Sequence, residues 1–147
     1  MSPVVPVPPL RFEDVALGDA LPAARHEVTR ADVRAYAEAS GDRNPIHLDE
    51  DVARSVGLPD VIAHGMLTMG LAGQAAADWA GDPAAVVRFA TKFTAPVVVP
   101  AAGAAVVEVA GTVAALDPAA RTATVDLAVT SGGAKVLGRA RAVVRLP

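Results

Sequence analysis

The 147-residue chain is long enough to bury a core of its own, and it holds no cysteine, which excludes disulfide scaffolds, thiolate metal sites and cysteine nucleophiles. Hydrophobic residues make up 52% and charged residues 20%, the opposite of a disordered composition. A net charge of -3 argues against a dedicated nucleic-acid binder, which would carry a basic excess.

In chain order, the opening Met-Ser-Pro-Val-Val-Pro-Val-Pro-Pro has no basic region, and its prolines favour an extended arm over residues 1–14 rather than the apolar helix of a signal peptide. Residues 15–147 are expected to form one domain. The segment Leu21 to Val28 is expected to supply a strand. Thr29-Arg30-Ala31-Asp32 has the form of a capping box, with Asp in place of the usual Glu, and opens a helix through Val33, Tyr36 and Ala37 that stops at Gly41. A loop, Gly41-Asp42-Arg43-Asn44-Pro45-Ile46-His47, comes next. Asp49 then caps a short helix that ends at Gly57.

Gly65 to Ala80 reads as a sixteen-residue helix closed by Gly81, with Pro83 just beyond. It carries one acid, Asp78, and no base, so it has no wide polar face and is expected to be buried. From there the period becomes that of strands. Val87, Phe89, Thr91 and Phe93 alternate with Arg88, Ala90 and Lys92, and Ala123, Val125, Leu127 and Val129 alternate with Thr122, Thr124, Asp126 and Thr130. Val107, Val109 and Val113 mark another strand and Val136 to Leu146 the last, with turns at Asp117-Pro118 and Ser131-Gly132-Gly133. The apolar run from Val97 to Val107 is broken by Pro100 and Gly103 and falls short of the roughly 20 residues a membrane span needs. A soluble cytoplasmic protein is expected.

Five or so antiparallel strands have one apolar face to hide, and the chain offers one long hydrophobic helix to hide it against. The expected fold class is therefore α+β, an antiparallel sheet wrapped around a central helix in the hot-dog manner. An exposed sheet edge invites a second copy or a homologous partner, so a dimer is expected.

Candidate chemistry is confined to a few residues. Asp42 and His47 flank a turn that Pro45 stiffens, so a carboxylate and an imidazole can share one small cavity, as an acid/base pair on adjacent atoms requires. Spacing alone leaves a second reading equally open: Asp42 capping loop amides and His47 bonded to a backbone carbonyl. Gly65 opens the long helix, where unpaired N–H groups and the positive dipole end could receive a carbonyl oxygen, or where a glycine merely relieves crowding. Asn44 and His64 are read as shaping the loop, and His26 as a solvated surface histidine. Tyr36 and Trp79 are read as core or interface, and Met66 and Met69 as core or channel lining.

The block from Tyr36 through Ser40-Gly41-Asp42-Arg43-Asn44-Pro45-Ile46-His47, with Ala53 after it, resembles the signature of MaoC-like (R)-specific enoyl hydratases and dehydratases. Ile62-Ala63-His64-Gly65-Met66-Leu67-Thr68-Met69-Gly70 is similar to that family's second block, and the likeness runs from about Val15 to Leu146. Within the family it looks most like the catalytic B subunits of actinobacterial (3R)-hydroxyacyl-ACP dehydratases that serve fatty acid elongation. The resemblance implies reversible loss of water from a (3R)-3-hydroxyacyl thioester to give the trans-2-enoyl thioester. It implies Asp42 and His47 as the catalytic pair, the Gly65 amide as donor to the thioester carbonyl, and Asn44 as a shaper of the loop. The expected substrate is an acyl-ACP or acyl-CoA and the expected partner a second copy or a homologous hot-dog subunit. No metal or other cofactor, no nucleic acid and no membrane is implied. Two rival readings are a non-catalytic acyl-thioester-binding subunit of a heterodimer and a hot-dog thioesterase, for which the long helix offers only Asp78.

Overall fold

A computed structural model describes residues 8–147. Five strands form one antiparallel sheet: β1 (Ala20–Val28), β2 (Val86–Phe93), β3 (Ala105–Asp117), β4 (Thr122–Ser131) and β5 (Ala134–Arg145), in the spatial order β1-β3-β4-β5-β2. Three α-helices lie between β1 and β2: α1 (Arg30–Ser40), α2 (Glu50–Ser55) and α3 (Gly65–Ala80). Helix α3 touches every strand, so the sheet curls around it.

The core lies between α3 and the concave face of the sheet. Alternation delivers Val107, Val109 and Val113 from β3 and Ala123, Val125, Leu127 and Val129 from β4, all buried. They meet Ala72, Ala75, Ala76 and Ala80 of α3, whose short side chains let the helix settle close to the sheet. Burial of α3 is one-sided, contrary to its sequence reading. Met66, Gly70 and Gln74 are exposed because five strands cover only one face of the helix. No helix among the described residues is long and apolar enough to cross a membrane.

Helix α1 begins where the sequence places it. The Thr29 side chain accepts from Asp32 N–H, and Asp32 Oδ2 accepts from Thr29 N–H at 2.8 Å, closing the capping box. Thr29→Ala is expected to cost about 0.5–2 kcal/mol of stability, read from urea unfolding. At the other end Gly41 takes φ 78, a left-handed conformation that turns the chain sharply into Asp42.

Two features depart from expectation. The strands after α3, read in sequence as four successive segments, are not neighbours in chain order throughout: β2 pairs with β5, so the chain crosses over to the far side of the sheet order before β3 begins. That crossover is strapped to the segment ahead of α3 by Ala63 N–H to Val97 O (2.9 Å) and Val99 N–H to Val61 O (2.8 Å). The alternation read for β2 also fails, since Val87 and Phe93 are exposed. Register shifts against β5 at Val86/Arg88 and Ala90/Lys92 break the two-residue period. The expected arm over residues 1–14 lies partly outside the described residues. Within the described part, Phe12–Asp14 is a 3-10 turn, Leu10 N–H donates to Ala80 O, and Phe12 packs on the core.

Candidate active site

The loop after α1 is held by its own side chains. Asp42 N–H donates to Ser40 Oγ, Asp42 Oδ1 accepts from Asn44 N–H at 3.2 Å, and Asn44 Oδ1 accepts from Ile46 N–H at 3.2 Å. Asn44 thereby caps the 3-10 turn Pro45–His47, in which proline occupies a first-turn position whose N–H would have no partner. That turn throws His47 inward while Asp42 stays at the surface.

His47 meets a partner that its spacing does not reveal. Its Nδ1 lies 2.7 Å from the carbonyl of Ile62, which is fixed in turn by Ile62 N–H donating to Ile46 O and by an antiparallel bridge to Val98. A carbonyl only accepts, so Nδ1 carries the hydrogen and Nε2 is left with the lone pair. Burial pushes the His47 imidazole below its usual range. The bond to Ile62 opposes this shift, the neighbouring His64 adds to it, and the charge on Asp42 opposes it. The ring is therefore neutral near pH 7 and ready to accept a proton at Nε2. The backbone-bonded reading of His47 is the one the structure realises, and it leaves Nε2 as the ring's free nitrogen.

His64 sits at the N-cap of α3 and is 2% exposed. Its Nε2–H donates to the Asp42 carbonyl at 2.9 Å, its ring stacks on His47 with centroids 3.8 Å apart, and Tyr36 packs against its other side at 4.7 Å. Its Nδ1 is buried without a hydrogen-bond partner. The His64 side chain makes no capping bond, so the N–H groups of Gly65 and Met66, which have no intrahelical acceptor, remain available at the mouth of α3.

Ligating atoms of Asp42, His47 and His64 all lie within 4.8 Å of one another, close enough to raise the question of a metal. A metal takes imidazole lone pairs in the ring plane at about 2.0–2.1 Å. Stacked rings 25° from parallel hold those lone pairs side by side rather than aimed at one centre. The arrangement suits proton transfer better than ligation.

A cavity of about 340 Å³ opens beside His47, lined among others by Gly65, Thr68, Phe93, Val136 and Leu137. A second, of about 410 Å³, opens beside Asp42 with Tyr36, Ser40, Met66 and again Gly65 and Phe93. The structure thus brings Asp42, His47, His64 and Gly65 together, with Asn44 and Pro45 in the supporting loop. It adds Ile62 through a backbone atom, and Thr68, Tyr36 and Phe93 as lining. His26 lies elsewhere, on β1, and is half-buried, with its Nε2 shielded and unpartnered. Met66 and Met69 flank an open groove along α3 instead of filling the core.

A curled antiparallel sheet around one central helix defines an α+β protein of the hot-dog fold. A solved MaoC-like dehydratase matches it with a TM-score of 0.91 at 45% identity, covering 95% of this chain and 43% of that one. The chain belongs to the MaoC-like domain family, whose model matches residues 15–131. It is similar to 3-hydroxyacyl-thioester dehydratase X of Mycobacterium tuberculosis, 43% identical over 83 residues, which are 54% of this chain and 28% of that protein. It is also similar to the (R)-specific enoyl-CoA hydratase of Rhodospirillum rubrum, 34% identical over 101 residues, 68% of this chain and 69% of the other. The chain spans less than two thirds of the length of the first curated relatives it matches.

Proposed function

We propose that the protein is a cytoplasmic hydro-lyase that interconverts (3R)-3-hydroxyacyl and trans-2-enoyl thioesters, carried on CoA or on an acyl carrier protein. The observation that carries the reading is the His47–Ile62 bond, which leaves a neutral imidazole with a free Nε2 lone pair in one cluster with Asp42, next to the first turn of α3, whose N-cap side chain makes no capping bond.

In the dehydration direction the thioester carbonyl rests on the Gly65 N–H, where the helix dipole favours the negative charge that builds on oxygen. His47 Nε2 takes the C2 proton, and the electron pair of that bond forms the C2–C3 double bond as the C3–O bond breaks. The imidazolium returns the proton to the departing oxygen, which leaves as water. Asp42 accepts a hydrogen bond from the hydroxyl and keeps it in line. Hydration runs the same steps backwards. Asn44, Pro45 and His64 shape and hold the loop.

The test is turnover of 3-hydroxyacyl thioesters, followed by ultraviolet absorbance of the enoyl product together with a free-thiol assay. Enoyl formation without thiol release supports the reading, and thiol release would support a thioesterase instead. The pH dependence of kcat/KM is a second check. Activity requires neutral His47, so it rises with pH through an acid limb whose midpoint lies below the ordinary imidazole value of about 6.5.

A dimer, of two copies or with a homologous hot-dog subunit, belongs to the same reading. Strand β2 is a sheet edge, and its own Val87 and Phe93, like Met66 of α3, are exposed. Light scattering is expected to give twice the chain mass. A monomer inactive alone and active with a homologous subunit would make the heterodimer the enzyme.

A further inference from the structure

The carbonyl that sets the His47 tautomer is itself held from a distance. Ile62 sits in the middle of a short antiparallel ladder: Val99 N–H donates to Val61 O, Ile62 bridges Val98, and Ala63 N–H donates to Val97 O. A pair of extended segments this short is marginal on its own. One side chain closes its outer end. Arg30, the first residue of α1, donates from Nε to the Val99 carbonyl at 2.8 Å and from Nη2 to Asp60 Oδ1 at 2.8 Å. The same Oδ1 accepts from Val61 N–H at 2.7 Å, which locks the carboxylate to the residue just before Ile62. Nη1 faces Glu50, at the start of α2, at 3.8 Å. The side chains of Arg30 and Asp60 are only 15% and 19% exposed, so each charge needs the other. Neither residue lines the cavity beside His47 or the one beside Asp42.

We propose that Arg30, paired with Asp60, is a positioning residue for His47: the guanidinium clamps the end of the ladder, the ladder fixes the Ile62 carbonyl, and the carbonyl keeps the hydrogen on Nδ1. The proposal rests on the reading of His47 as the proton acceptor. Arginine suits the task because two N–H groups of one rigid plane reach both segments at once. Without it the Val99 carbonyl loses this donor, and Asp60 keeps only Arg54, whose Nη2 reaches the other carboxylate oxygen at 3.4 Å from the exposed side of α2. The segment from Asp60 to Ile62 then shifts outward and the Ile62 carbonyl slips off His47. The ring spends part of its time with the hydrogen on Nε2, where it has no lone pair to offer. A molecule in that state still binds thioester but does not turn it over, so the loss falls on kcat and spares KM.

The test compares wild type with Arg30→Met, Arg30→Lys, Asp60→Asn and Arg54→Met, all as the full chain. The tautomer is read from the nitrogen NMR shifts of the His47 ring above its titration range, assigned by their absence in His47→Gln. Values of kcat and KM are read with 3-hydroxyacyl-CoA thioesters. Wild type is expected to carry the hydrogen on Nδ1 alone. Arg30→Met is expected to show both tautomers in exchange and a kcat lower by about 10- to 100-fold with KM little changed, the scale on which remote misplacement of a reacting group acts. Arg30→Lys keeps a charge for Asp60 but cannot span both segments, and Asp60→Asn keeps an acceptor for Val61 N–H but no charge, so both are expected to fall in between. Arg54→Met, which touches Asp60 but not the ladder, is expected to match wild type in both readouts.

A folded Arg30→Met protein with a single Nδ1–H tautomer and normal kcat refutes the clamp, while turnover keeps the functional reading. An equal change in Arg54→Met refutes it too, because the effect then belongs to the charge around Asp60 and not to the span. If wild type turns over none of the thioesters while the tautomer still follows residue 30, the clamp stands and the functional reading falls. Where Arg30→Met does not fold, as judged by circular dichroism at the assay temperature, Arg30→Lys and Asp60→Asn decide the matter by the same two readouts.

Discussion

His47→Gln is expected to lower kcat by about 10² to 10⁴, the usual contribution of a positioned acid/base group. Glutamine keeps a donor that can reach the Ile62 carbonyl but has no basic nitrogen to take a proton, so the loss reads chemistry more than collapse of the turn. Asp42→Asn should cost at least about 10² by the same logic. Its Oδ1 can still accept from Asn44 N–H, so the loop survives while the charge is lost. The double variant should be little worse than the more damaged single one, because two groups serving one transition state are not additive. Residual activity should also lose the acid limb in His47→Gln and keep it in Asp42→Asn. A His47→Gln protein with near-normal kcat would end the assignment of His47 as base and return it to a purely structural role.

Much of this arrangement is legible in the chain because it follows short-range rules. Thr29 and Asp32 announce the start of α1, Gly81 the end of α3, and the strict alternation from Ala123 to Val129 a strand with one buried face. Asp42, Pro45 and His47 are close in sequence, and a proline-stiffened turn suffices to bring them near one another. What escapes depends on partners far along the chain. The tautomer of His47 is set by the carbonyl of Ile62, a backbone atom with no residue-type signature. The position of Ile62 depends in turn on a crossover strap at Val97 to Val99 that periodicity shows only as an apolar run.

Phe93 is the sharpest case. Its place in an alternating pattern points it at the core, yet a register shift fixed by the pairing of β2 with β5 turns it to the mouth of α3. Its partner Gly65 lies 28 positions earlier, so no local pattern joins them. The face of α3 that carries Met66 and Met69 misleads in the opposite direction: an all-round apolar helix suggests complete burial, and a five-stranded sheet is too narrow to provide it.

Gly65→Val is expected to reduce kcat/KM by at least about 10², comparable with removal of an oxyanion-stabilising donor. The substitution leaves the backbone N–H in place but raises a branched side chain between it and an incoming carbonyl, and it drives the Phe93 ring off its rest position. Gly65 is exposed at the first turn of α3 with an ordinary φ, so the helix itself should tolerate the change and the melting temperature should move little. Gly65→Ala should fall between the two proteins, because its Cβ meets only the far edge of a ring that can swing aside. A chain whose helix mouth receives the thioester oxygen must respond to side-chain size here in that order. Were Gly65→Val to retain wild-type kcat/KM with its fold intact, the negative charge would have to be met elsewhere, and the start of α3 would be left with a packing role alone.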